Sequence, residues 1–325
     1  MTSTKASRKT SQVRVILWTF PRTRSTALTK CLSQIEGVEI WFEPYCFCSM
    51  AATEYRRVHG RELPTSYRGN ETMFAEAARL VSKVALMPPG VLDPERLAYE
   101  GVKERLERSM SRYVIVKDMA FALSDEKYRR FLPDGFAHAF LIRDPIAAIA
   151  SYRRASYSSF KSAGYLDEDA TNESKFDVER DNFLMNAGLF HKELCDLWNY
   201  LMQSSKTHSV PDEESSGPHN QSVVIDSDDL LTKPDEVLPK FCEALGLPYD
   251  QSFLRWDPSA DVAFSWKAAG DELLRGNVHF YETAMASSCF MPAKEREQVQ
   301  NLTKDVLRLA EQARPFYEEM HNNKL

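Results

Sequence analysis

Apolar residues first gather at positions 13–20, VRVILWTF, a β-branched and aromatic run with little polar content. That is the pattern of a strand buried on both faces. From there the period changes. Ala27, Leu28, Cys31, Leu32 and Ile35 recur three and four apart, which predicts a helix over 26–34, ended by Gly37. Short apolar runs at 38–41, 113–117 (YVIVK), 137–142 (AHAFLI) and 222–225 (SVVI) predict four more strands. Helical spacing returns at 147–152, along Phe183 to Leu201, at 234–245 with Gly246 behind it, and at 293–313. Residues from about 50 to 110 are mixed and helical, broken by Pro64, Pro88, Pro89 and Pro94, and form a candidate lid or pocket wall. Positions 204–221 are polar with prolines, an exposed loop.

Strands alternate with helices and hairpin signals are missing. The expectation is an α/β fold of three layers, a mostly parallel central sheet flanked by helices. A frayed, disordered start at 1–12 precedes one domain over 13–325. Ligands of such sheets bind beyond the carboxyl ends of the strands. That rule gathers residues 21–26, Glu43, Lys117 and Arg143, each at or just past a strand end.

Composition narrows the function. The net charge of −6 argues against a broad nucleic-acid surface, so any anion site must be a local concentration of cations. The polar, basic start MTSTKASRKTSQ has no apolar core of a secretory signal, and no run approaches the roughly 18 apolar residues of a membrane span. A cytoplasmic protein is expected. The six cysteines are scattered, with Cys46 and Cys48 the one close pair, and neither CxxC nor a nearby histidine set completes a metal site. Free thiols and no metal are expected.

Two stretches carry chemistry. In FPRTRSTALTKCL (20–32), Arg22 and Arg24 offer guanidinium forks suited to phosphate, and Ser25 and Thr26 offer hydroxyls and N–H groups at a helix start. The loop holds no glycine and no GxxxxGK[ST]. In LIRDPIAAIASYRR (141–154), Arg143 follows a strand, Pro145 opens a helix, and Ser151 lies eight positions after Arg143. Each stretch alone also reads plainly, as a helix cap with solvated arginines.

Together, PRTRST after the first strand and RDPIAAIAS after a later one resemble the sulfotransferase superfamily. Its first loop resembles P-[KR]-[ST]-G-[ST]-T and binds the 5′-phosphosulfate of 3′-phosphoadenosine 5′-phosphosulfate (PAPS). Its second motif resembles R-[DN]-P-x5-S and binds the 3′-phosphate. The resemblance covers 13–154 well and the rest loosely. It implies a P-loop-like α/β fold and transfer of a sulfuryl group from PAPS to a hydroxyl or amine of a small-molecule acceptor, releasing PAP without a metal. By the same resemblance Arg22 faces the leaving phosphate, Thr23, Ser25 and Thr26 form the phosphate cradle, and Arg143 and Ser151 hold the 3′-phosphate; Arg24 joins the cofactor-binding candidates for its own guanidinium, not by the resemblance. Leu274-Arg275-Gly276 faintly resembles a late R-K-G element, which adds Arg275.

Two departures stand out. Arg24 occupies the usual glycine position, so either the loop has another conformation or Arg24 takes an allowed one and points away. VKDMAFAL (116–123) resembles a segment that in many cytosolic members reads K-T-H; Lys117 matches the lysine, but Met119 replaces the histidine. The base is therefore assigned to Glu43 in WFEPYCFC, with Trp41, Phe42, Tyr45 and Phe47 as acceptor pocket and residues 99–111 as a possible wall. A structural carboxylate paired with Arg22 or Lys117 is the alternative. His279 is the second choice of base, His138 and His191 read as packing residues, and Asp118 as an orienter of Lys117. The rival functions are a divergent small-molecule kinase and a non-catalytic, nucleotide-binding member of the fold.

Overall fold

The computed structural model describes residues 12–85, 87–166, 171–182, 185–207, 222–276, 281–290 and 302–325. The expected frayed start, most of the expected loop at 204–221 and His279 lie outside them. Five strands form one sheet: β1 (Val13–Thr19), β2 (Val38–Phe42), β3 (Tyr113–Met119), β4 (Ala137–Ile142) and β5 (Ser222–Asp226). Their order is β2-β3-β1-β4-β5, and every pairing is parallel. Successive strand side chains point to opposite faces. Uninterrupted burial over Val15–Thr19 and throughout β3 therefore means that both faces are covered.

The covering helices are α1 (Ser25–Leu32), α2 (Pro44–His59), α3 (Glu71–Val84), α4 (Tyr99–Glu107), α5 (Glu126–Arg129), α6 (Pro145–Ser162), α7 (Phe190–Thr207), α8 (Ser227–Thr232), α9 (Pro234–Leu245), α10 (Leu273–Gly276), α11 (Glu282–Met285) and α12 (Lys304–His321). Gly246, at φ +67°, closes α9 in the left-handed conformation that a residue without Cβ adopts at little cost. Boundaries differ from the pattern where polar residues extend an element. α6 starts at Pro145, because Asp144 accepts the N–H of Ala147 and Pro145 fits its first turn, and it runs on to Ser162, past 147–152. α7 continues through Thr207, into the stretch read as loop. The last helix starts at Lys304 and runs to His321, later than the expected 293–313, of which 293–301 lies outside the described residues.

Two features of the sheet position the site. The chain fills β2 and β3 on one side of β1 and then β4 and β5 on the other, so a topological switch point falls at the carboxyl end of β1. On the outer side of β2, Phe42 N–H donates to Lys267 O at 2.8 Å and Lys267 N–H to Ile40 O at 2.9 Å. This short contact covers the sheet edge and brings the segment after Trp266 beside the end of β2.

Candidate active site

The loop from Phe20 to Arg24 turns the chain from β1 into α1. Thr23 is buried and spends its hydroxyl inside the turn, paired with the Thr19 hydroxyl and bonded to Phe20 O at 3.1 Å. It therefore props the loop from within and is not among the residues lining the cavity above it. Arg22 and Arg24 both adopt positive φ, 72° and 67°. Arg24 does not point away. It keeps the glycine-like left-handed conformation, and it lines the cavity. The strain costs about 1–2 kcal/mol per residue in the left-handed region. The Arg24 carbonyl accepts from Ala27 N and Leu28 N, starting α1, with Ser25 and Thr26 in the cavity wall.

The second stretch meets the first. Arg143 Nη1 donates to Arg22 O at 2.5 Å, and Arg22 Nε donates to Ser151 Oγ at 3.1 Å. The two phosphate subsites read from sequence thus share one rim. Asp144 caps α6 and pairs with Arg314 at 2.9 Å. Arg154, quoted in the sequence but given no role, also lines the cavity. Its signal was its place three positions after Ser151, on the same helix face. Four guanidiniums therefore converge on one cavity. Burial pulls Arg143 down to about 10, and the charges of Arg24, Arg22 and Arg154 add to that against Asp228. Arg22 is lowered by burial and then by Arg154. Both effects, burial of the cations and their mutual repulsion, are relieved by a bound polyanion. The buried Nε of Arg143 finds no hydrogen-bond partner among the described residues. A phosphate ester suits that donor.

At the other end of the cavity, Glu43 follows β2 at φ 55°, the third non-glycine residue in the left-handed region among the described residues. Its N–H donates to Lys117 O at 2.7 Å, and its Oε1 is ion-paired with Lys117 Nζ. Both side chains are almost wholly buried. The Tyr281 hydroxyl donates to Glu43 Oε2 at 3.0 Å, a partner the sequence reading missed. Lys117 Nζ also lies 4.7 Å from the centre of the Phe42 ring. Asp118 does not orient Lys117. Neighbours on a strand face opposite ways, and its carboxylate receives the N–H groups of Tyr45 (2.6 Å), Cys46 (2.9 Å) and Met119 (2.8 Å). It anchors the start of α2, and with it Glu43. Burial pushes Asp118 up, to about 7, against the pull of these bonds and with a further push from Glu43.

Between these ends lies a cavity of about 480 Å3, walled on its apolar side by Phe42, Phe47, Met50, Met87, Met119 and Met185. The insert thus supplies Met50 and Met87. The expected wall at 99–111 does not reach the cavity: Tyr99 stacks on Tyr128 with ring centres 4.2 Å apart. Trp41 and Tyr45 also turn away. Trp41 Nε1 bonds Glu39 at 2.6 Å, and Tyr45 OH bonds Phe131 O at 2.6 Å. Arg275 is largely exposed, 3.8 Å from Glu272, and outside the lining. His191 is buried and His138 half-buried, each is pulled down to about 4 by burial, and they bond Arg143 O and Trp18 in turn. Among the described residues no histidine lines the cavity and no group of His, Cys, Asp and Glu could hold a metal ion. No described helix is long and apolar enough to cross a membrane.

Residues 218–324 match the family model described as sulfotransferase domain. This stretch contains neither the arginine loop nor the Arg143–Ser151 motif. No curated protein sequence matches the chain. Among solved structures it is similar to the sulfotransferase domain of the Synechococcus PCC 7002 olefin synthase, at 16% identity and a TM-score of 0.42, over 96% of this chain and 98% of that one. It is also similar to the sulfotransferase domain from the curacin biosynthetic pathway, at 16% identity and TM-score 0.42, over 93% and 97%. A mouse sulfotransferase, SULT7A1, solved in complex with PAP, aligns at 11% identity and TM-score 0.44, over 97% and 90%.

Proposed function

We propose that this chain, a member of the sulfotransferase superfamily, moves a sulfuryl group from PAPS to a hydroxyl or amine of a small apolar acceptor and releases PAP. The observation that carries this reading is one cavity joining a cluster of four guanidiniums to a buried carboxylate. In this reading Arg22, Arg24, Ser25 and Thr26 hold the 5′-phosphosulfate. Arg143 and Ser151 hold the 3′-phosphate, with Arg154 as a further cation beside it. A sulfuryl transfer resembles phosphoryl transfer, an in-line displacement in which the protein chiefly positions groups and neutralises charge. The bond from sulfur to the bridging oxygen breaks, the acceptor oxygen or nitrogen bonds to sulfur, and the acceptor proton passes to Glu43. Arg22 and Lys117 neutralise charge on the departing phosphate. Glu43 spends two acceptor positions on Lys117 and Tyr281, and a carboxylate has about four. The methionine-rich wall fits an uncharged acceptor of adaptable shape. A net charge of −6 speaks against nucleic acid as a partner, and six free cysteines fit the reducing cytosol.

The closed Glu43–Lys117 pair favours a second reading, a member of the fold that binds the nucleotide without catalysis. A divergent kinase has no such support. Thermal unfolding with PAP, with ADP, and with ATP plus magnesium separates them. At about 100 times its dissociation constant a ligand adds roughly 2.7 kcal/mol, a shift of a few degrees for a large domain. A shift with PAP alone, lost in Arg143→Ala, is expected. A shift only with ATP and magnesium overturns the proposal. Transfer of radiolabelled PAPS sulfur to a phenol and alcohol panel then tells enzyme from binding protein.

A further inference from the structure

We infer that Tyr281 is a positioning residue for Glu43, and that Lys30 holds Tyr281 in place from the helix that begins at the arginine loop. This inference rests on the sulfuryl-transfer reading for its consequence, but not for its geometry. A glutamate carboxylate turns freely about its last bond, a broad and roughly two-fold torsion. Here Lys117 holds Oε1 and the Tyr281 hydroxyl holds Oε2 at 3.0 Å, from two different elements. The Tyr281 ring stands edge-on to Phe42, with centres 5.2 Å apart at 82°, so the hydroxyl is aimed by packing. Burial, and then the Glu43 charge, raise the phenol well above its ordinary value, which keeps it a donor.

Tyr281 immediately precedes α11, and the far end of that segment is tied down. Lys30, 1% exposed, donates to Met285 O at 2.5 Å, Ser259 O at 3.0 Å and Ser287 O at 3.1 Å. An ammonium has three protons and no acceptor, so the three carbonyls complete its hydrogen bonding. Lys30 belongs to α1, whose first residues Ser25 and Thr26 line the anion end of the cavity. One helix therefore carries the anion loop at its start and the anchor of the Tyr281 segment near its end. The orientation of Glu43 is coupled to the placement of the donor. Lys117, Tyr281, the Cys46 thiol and Asp118 are the titratable groups acting on Glu43, with Arg22 beyond Tyr281.

Tyr281→Phe keeps the ring against Phe42 and removes only the hydroxyl. With radiolabelled PAPS and 2-naphthol, and with water as the sole acceptor, kcat is expected to fall about 10-fold or more, as for loss of a hydrogen bond to a charged group. KM for PAPS is expected to stay within about twofold, and the acid limb of the kcat/KM profile to move to higher pH, since a donor to the charged form is gone. Lys30→Met is expected to show the same split of kcat from KM. An unchanged kcat and profile in Tyr281→Phe, or a KM that rises in step with the loss, overturns the inference. An infrared measurement needs no turnover. The Glu43 carboxylate stretch, isolated as wild type minus Glu43→Gln, is expected to shift in Tyr281→Phe, and an unmoved band overturns the inference. If wild type neither binds PAP nor turns over PAPS, the sulfuryl reading fails, while the band still decides Tyr281.

Discussion

Arg22 Nε bonds Ser151 Oγ at 3.1 Å although 129 positions separate them in the chain. This bond joins the two motifs of the cavity rim, and it separates two roles for Ser151. Arg22→Ala is expected to lower turnover by about 10²-fold or more, the range for one lost oxyanion-type donor. Ser151→Ala is expected to weaken PAP binding in calorimetry while keeping turnover within about 10-fold at saturation. If the two variants lose turnover equally, Ser151 acts by holding Arg22.

Arg24 offers a test that separates backbone strain from charge. Its φ of 67° strains any residue with a Cβ. Arg24→Ala keeps the strain and loses the charge, whereas Arg24→Gly relieves the strain. Arg24→Gly is expected to be the more stable of the two by about 1 kcal/mol in urea unfolding. Both are expected to bind PAP more weakly than wild type.

Asp118 predicts a pH dependence. Its folded value, about 7, stands above the ordinary 3.8. Between those values the folded protein keeps a proton that the unfolded chain has released. The stability from this group is full below the unfolded value and is lost as pH rises towards about 7. Asp118→Asn does not titrate. The margin in Tm of wild type over this variant is expected to shrink steadily from acid to neutral pH.

Outside the cavity lining, Arg153 and Asp305 form a buried ion pair at 3.1 Å, with side chains 6% and 4% exposed. Arg153 also donates to Glu173 O and Phe176 O, and Asp305 accepts Val178 N–H. Asp305→Ala leaves a buried cation and is expected to cost about 3–5 kcal/mol in denaturant unfolding. Replacing both partners, Arg153→Met with Asp305→Leu, is expected to recover part of that loss.

Much of this was legible in the sequence because parallel strands buried on both faces read as plain apolar runs. Their carboxyl ends then gather Arg22, Glu43, Lys117 and Arg143 by topology alone. Thr23 was misplaced because a hydroxyl in a tight loop serves the backbone as readily as a ligand, and spacing does not tell them apart. Tyr281 escapes a reading of the sequence because its partner lies 238 positions away, a separation no periodicity bridges. Trp41 and Tyr45 are near Glu43 in sequence but not in the cavity, because their side chains leave the backbone on other sides. Tyr45 instead points into the interior beneath α2, and Trp41 carries Lys267 over its ring, 5.0 Å from the centre.

The glycine-free loop has a consequence for how such sites are recognised at all. At Arg22, Arg24 and Glu43 the backbone accepts a left-handed turn so that a charged side chain can stand where a smaller residue would sit at ease. What these positions demand is a sign of φ, and a sign leaves no letter in the sequence. A motif written as letters passes over this chain at position 24; a pattern written as dihedral signs would register all three of these positions.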